Sequence, residues 1–95
     1  MRLWEAPKPL KMERQFDGNT TVIIWLFGRI RADHLEELDK QLRDGSEAKV
    51  LDLSEVTIVD AEVIRFLTVR EREGIRLRGC PAYIREWILR ERPEE

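Results

Sequence analysis

Val50-Leu51-Asp52-Leu53-Ser54-Glu55-Val56-Thr57-Ile58-Val59-Asp60-Ala61-Glu62-Val63-Ile64-Arg65-Phe66-Leu67 is the stretch that decides the fold. Its first part, Ala48 to Leu53, has the short, largely apolar run of a buried strand. A hydrophobic connection follows, and then an acidic turn opens an amphipathic helix. Asp60 stands at the N-cap position, where a carboxylate that accepts from its own helix's first N–H groups contributes ~1 kcal/mol. Glu62 lies in the first turn, where the helix dipole favours an anion. Val63, Phe66 and Leu67 share one helical face, and the helix is expected to run to Gly74.

Toward the N-terminus, residues 1–10 carry Pro7 and Pro9 and read as an irregular tail, leaving 11–95 as the domain. Lys11 to Phe16 alternates as an edge strand does, with Met12, Arg14 and Phe16 on one side. Asp17-Gly18-Asn19 is a hairpin signal, and the β-branched, aromatic run Thr20 to Phe27 is the partner strand. Asp33 then reads as an N-cap with Glu36 in capping-box position, and Leu35, Leu38 and Leu42 form a buried helical stripe ending at Gly45. Toward the C-terminus, Ile75 to Leu77 is a short strand. Cys80-Pro81 opens a third helix with Ile84, Trp87 and Ile88 as its apolar stripe, Trp87 reading as core, and Pro93 closes it.

The order is β-β-α-β-α-β-α. The strand–helix–strand unit from Ala48 to Leu77 should be a right-handed parallel crossover. An antiparallel hairpin joined to it gives an α/β fold with a small four-stranded mixed sheet packed by helices. One feature of that sheet needs cover: Val22, Ile24 and Leu26 point to one face, yet Ile23, Trp25 and Phe27 on the other are equally apolar. The N-terminal tail, through Leu3, Trp4 and Leu10, or a second copy in a homodimer are the two expected covers.

Ninety-five residues bound the chain to a single domain with one modest core. With 42% hydrophobic and 38% charged residues it is not disordered but has a folded centre under a heavily charged surface. The 17 basic and 19 acidic residues give a net charge of −2, and Arg65, Arg70, Arg72, Arg76, Arg78, Arg85, Arg90 and Arg92 are interleaved with Glu71, Glu73, Glu86 and Glu91. No nucleic acid partner is expected from such a balanced surface, though Arg76 and Arg78 form a small basic strip. The longest apolar run, Thr21 to Phe27, is far short of the ~20 residues that span a membrane. Neither a signal sequence nor a disulfide is expected, Cys80 being the only cysteine, and the chain reads as cytoplasmic.

The quoted stretch resembles the central motif of STAS domains, the fold of bacterial anti-sigma-factor antagonists. The warrant is the Leu-Asp-Leu-Ser…Val-Asp pattern together with the order of elements, over roughly Lys11 to Arg90. Cys80-Pro81-Ala82-Tyr83-Ile84-Arg85-Glu86-Trp87 is similar to the family's last helix, which commonly opens with Ser-Pro. In the family the turn usually reads Asp-Ser-Ser-Gly, and a partner kinase phosphorylates its second serine. Here it reads Asp60-Ala61-Glu62-Val63, so Glu62 occupies the acceptor's place and Ala61 removes the neighbouring hydroxyl. The resemblance implies a non-catalytic protein-binding module in signalling or transcription regulation. Its partner would be a kinase-type anti-sigma factor, docked on Thr57, Ile58, Asp60, Ala61, Glu62 and Arg65.

The other chemistry-bearing residues have structural readings. His34, the only histidine, has no nucleophile beside it in sequence and reads as a solvated residue. Cys80 at a helix start has the setting that lowers a thiol pKa, but reads as a small residue in a cap position. Asp52, Glu55, Asp60 and Glu62 are hard oxygen ligands of the kind Mg²⁺ takes, yet helix-start roles account for Asp60 and Glu62 without a metal. The five scattered glycines make no phosphate cradle. No enzyme, no cofactor and no metal are therefore expected. The rival readings are a small-molecule or nucleotide-binding module on the same fold, and an oligomeric scaffold component.

Overall fold

A tight hairpin begins the sheet. In the computed structural model, which describes residues 10–18 and 20–91, strand β1 (Met12–Asp17) pairs antiparallel with β2 (Thr21–Ile30). The turn passes through Gly18, while Asn19 lies outside the described residues. The chain continues through a 3-10 turn (Ala32–His34), α1 (Leu35–Arg43), β3 (Ala48–Val59), α2 (Ala61–Arg72), β4 (Arg76–Arg78) and α3 (Ala82–Glu91). One four-stranded sheet results, in the order β1-β2-β3-β4, with β2–β3 and β3–β4 parallel. The β-β-α-β-α-β-α order and the mixed sheet are as the sequence pattern implies.

All three helices contribute to one core with the same sheet face. Val22, Ile24, Leu26 and Ile30 of β2 meet Leu51 and Leu53 of β3, Leu38 and Leu42 of α1, Val63, Ile64 and Leu67 of α2, and Ile84 and Ile88 of α3. Ile64, fully buried, belongs to the α2 stripe alongside Val63 and Leu67, whereas Phe66 is only half-buried. Trp87 is half-buried and packs against this core. Lys49 lies on this side too, buried, with its Nζ donating to the Glu47 carbonyl at 2.8 Å.

The longest departure from expectation is β3. It runs past Leu53 to Val59, twelve residues in all. Two register shifts against β2 make this possible, one between Trp25 and Phe27 and one between Gly28 and Arg29. Strict alternation would put Val56 and Val59 on opposite faces. The second shift inserts Thr57 as an extra residue, so both valines turn inward, at 6% and 7% exposed. Gly28, opposite this irregularity, has φ +76°, a conformation only glycine enters without strain.

The entry to α1 also differs. Asp33 is not its N-cap: Ala32–His34 forms a 3-10 turn, and α1 starts at Leu35. His34 is buried at 8% exposed rather than solvated, and its Nδ1 accepts from the Arg31 backbone N–H at 2.9 Å. The histidine takes the part that a Glu or Gln three residues past the N-cap usually plays, reaching back to the N-cap N–H. Element ends differ by a residue or two elsewhere: α2 stops at Arg72, β4 is Arg76–Arg78, and α3 starts at Ala82 with Pro81 just before it.

On the sheet face away from the helices, Ile23 and Val50 are buried. The two aromatic residues there are each topped by a cation. Arg78 lies over the Trp25 ring and Lys11 over the Phe27 ring, both 5.1 Å from the centroid. Leu10 packs against the helix-side core instead of crossing this face. Leu3 and Trp4 lie outside the described residues.

Candidate partner-binding surface

The residues singled out lie at the end of β3 and the start of α2, where Thr57, Ile58, Ala61, Glu62 and Arg65 are exposed, Asp60 is half-buried, and Val59, Val63 and Ile64 between them are buried; two ties hold the segment in place. Thr57 and Ile58 end β3, Ile58 at 53% exposed; Ala61 and Glu62 are exposed in the first turn of α2. Arg65, one turn on, has 61% of its side chain exposed and lies 3.8 Å from Glu91 at the end of α3.

Asp60 is the N-cap residue by backbone conformation, with φ −84° and ψ 162°, but its side chain makes no cap hydrogen bond. Its carboxylate Oδ2 accepts instead from the backbone N–H of Ala32, at 3.0 Å. The helix is started by main chain alone: the Asp60 carbonyl accepts from Val63 and Ile64 N–H at 3.0 and 3.1 Å. The expected capping role is therefore corrected. Asp60 joins the β2–α1 connection to the β3–α2 connection, so both loops at this end of the sheet are one unit.

Thr57 is held by a residue the sequence did not single out. The Tyr83 hydroxyl donates to the Thr57 carbonyl at 2.5 Å. Thr57 is the inserted residue of the second register shift, and a carbonyl turned out of the β2 ladder needs a partner. Tyr83 supplies it while leaving 46% of its own surface exposed. The available signal was a tyrosine in the first turn of α3, off the Ile84–Ile88 stripe.

Asp52, in register with Trp25, and Glu55, in register with Phe27, fall on the sheet face away from the helices, whereas Asp60 and Glu62 stand at the start of α2. Asp52 is 4% exposed, accepting from the Ser54 hydroxyl at 2.5 Å, the Ser54 N–H at 3.0 Å and Arg78 Nε at 2.8 Å. Burial by itself raises the pKa of this carboxyl. The Ser54 hydrogen bonds and Arg78 outweigh it, so the pKa lies below the ordinary value. Among the described residues no group of three potential metal ligands comes together.

Cys80 is half-buried, and burial raises its thiol pKa against the opposing pull of Arg85. That guanidinium is engaged by Glu71 Oε1 at 2.9 Å. No described helix is long and apolar enough to cross a membrane.

Solved structures share this architecture. The anti-sigma factor antagonist SpoIIAA in its unphosphorylated form matches with a TM-score of 0.53 over 86% of this chain and 100% of its own, at 13% identity. The fold is STAS-like. Mglu matches with a TM-score of 0.50 and 24% identity over 76% of this chain, which spans only 19% of that one. Both likenesses are of fold. No family model matches the sequence. No curated protein matches it either. On the STAS-like fold the run Thr57–Arg65 occupies the end of β3 and the first turn of α2, and its distinguishing residue is the exposed carboxylate of Glu62.

Proposed function

We propose that this chain is a non-catalytic protein-binding module of the anti-sigma-factor-antagonist type, acting in the cytoplasm within a bacterial regulatory complex. The partner docks on Thr57, Ile58, Asp60, Ala61, Glu62 and Arg65. The observation that carries the reading is Glu62, exposed in the first turn of α2 on a STAS-like fold. A phosphorylated serine at a helix start carries nearly two negative charges and works by repulsion and desolvation at the interface. Glu62 supplies a single permanent charge there and cannot be modified in the same way. The interaction is therefore constitutive: the partner meets a carboxylate at all times and presents a basic group to it.

Three further features support a docking surface over an active site. The run combines an exposed apolar residue, Ile58, with charges of both signs. Its backbone is pinned at Thr57 and Asp60, so little order is lost on binding. No nucleophile, base and orienting group converge on it.

The test is affinity capture from lysate with the wild type, Glu62→Ser and Glu62→Ala, followed by identification and by titration of the purified partner. A partner retained by the wild type and weakened about tenfold or more by Glu62→Ala supports the reading. A kinase-like partner captured only by the variants would mean the carboxylate holds the module in an off state. Capture by none of the three, together with saturable nucleotide binding by calorimetry, would replace the reading with the small-molecule module.

A further inference from the structure

β1 is an edge strand whose outward backbone groups face no described strand. The Lys11 carbonyl accepts from Phe27 N–H at 3.1 Å, and in an antiparallel ladder mutually bonded pairs alternate along the strand. With the observed register, the bonded residues of β1 are Lys11, Glu13, Gln15 and Asp17. The N–H and C=O groups of Met12, Arg14 and Phe16 consequently point away from β2, and no described strand lies on that side. Such an edge is either blocked or paired.

The order of residues along it is self-complementary. Laid antiparallel about a two-fold axis at Arg14, Met12 faces Phe16, Lys11 faces Asp17, and Glu13 faces Gln15. The bonded pairs this register needs, Met12 with Phe16 and Arg14 with Arg14, fall on the residues whose backbone points outward. Side chains agree with the backbone. Phe16 is 63% exposed, the most exposed large hydrophobic side chain among the described residues, and Met12 on the same face of the strand would receive it. Lys11 and Asp17, both exposed, would meet as opposite charges at either end, on the other face. Arg14 does not confront its copy as a free charge. Its guanidinium donates to the Gln41 carbonyl at 3.2 Å and to Gln41 Oε1 at 2.5 Å, with Asp44 3.8 Å away.

We infer that the chain forms a two-fold symmetric dimer through β1, antiparallel about Arg14, which joins two sheets into one continuous sheet. The interface is isologous, so each favourable pair occurs twice. It uses none of Thr57 to Arg65 and stands independently of the proposed partner surface. The dimer then displays two copies of that surface and engages a clustered partner with avidity.

Sedimentation equilibrium on the full chain over a wide concentration range tests this. The expected wild-type mass tends to twice 11.3 kDa. Lys11→Asp and Asp17→Lys each turn two attractive pairs into repulsive ones and should weaken dimerisation about tenfold, and the double exchange should restore it. Phe16→Pro removes an outward N–H without touching the bonds to β2 and should leave a monomer. Far-UV circular dichroism and melting confirm that each variant is folded. A wild type that stays monomeric overturns the inference. So does a dimer whose affinity is indifferent to the single exchanges, which would place the contact on the Ile23–Trp25–Phe27 face. A double exchange that fails to regain the dimer overturns it as well.

Discussion

The carboxylate of Asp60 accepts a hydrogen bond from the backbone N–H of Ala32, at 3.0 Å and across 28 positions of sequence. A residue that by position should serve its own helix serves the entry of another. Asp60→Ala breaks this tie and is expected to lower stability by about 1 kcal/mol, whereas Asp60→Asn keeps an acceptor oxygen and recovers most of it. Urea unfolding of the three proteins reads the difference. Partner affinity should fall in the same order, because the two loops then move separately.

Asp52 predicts an acid limb in the stability profile. Its folded pKa lies below that of the unfolded chain, so the contribution is complete above the ordinary aspartate value of about 3.9. It is lost as pH falls from there through the lowered folded value. Asp52→Asn should flatten this part of the profile and leave Arg78 without its charge partner. Urea midpoints measured on both proteins between neutral and strongly acid pH check it, and equal slopes would contradict the role given to Ser54 and Arg78.

Tyr83→Phe removes the hydroxyl that holds the Thr57 carbonyl. The expected cost is about 0.5–1 kcal/mol, since the carbonyl can turn to water. The sharper readout is local. Amide exchange at Thr57 and Ile58 should accelerate while exchange at Leu51 and Leu53 stays slow.

Gly79, in the β4–α3 connection, lies against Ser54 of β3. A Cβ there would lie 2.9 Å from Ser54 Cβ and 3.3 Å from the Ser54 backbone nitrogen, at a φ of +63°. Gly79→Ala combines a clash with backbone strain and is expected to cost about 1–3 kcal/mol. The midpoint of thermal unfolding measures it. Gly18→Ala, also at positive φ but with nothing within 4 Å, should cost less.

Much of this was legible in the residue pattern. The hairpin announced itself through Asp17-Gly18, the three helices through stripes such as Leu38/Leu42 and Ile84/Ile88, and the order of elements through their alternation along the chain. Three details were not legible, each for a physical reason. Val56 and Val59 read as a loop because period two breaks between them, and only pairing against β2 reveals an inserted residue. His34 read as solvated because its Nδ1 contact to Arg31 exists only once the 3-10 turn has formed. Asp60 read as a cap because local spacing cannot show that a distant N–H competes for its carboxylate. Thr57, Ile58, Asp60, Ala61, Glu62 and Arg65 were read as one segment of sequence, while the tyrosine that holds the Thr57 carbonyl comes from another helix.

The inserted residues of β3 separate two kinds of information. Ahead of the first register shift, Lys49 to Asp52 are locked in step with Val22 to Trp25, and sliding them by one position would turn Leu51 out of the core. Beyond the second shift the pairing resumes, Arg29 with Ile58 and Ile30 with Val59, and Val59 is buried in the core. The extra residue at Thr57 keeps the strand in step with β2 to its end while both valines face inward. Adding or removing a residue between Val56 and Val59 would turn one of them to solvent, so the core sets the length of this segment and leaves only the chemistry of its exposed residues open to change.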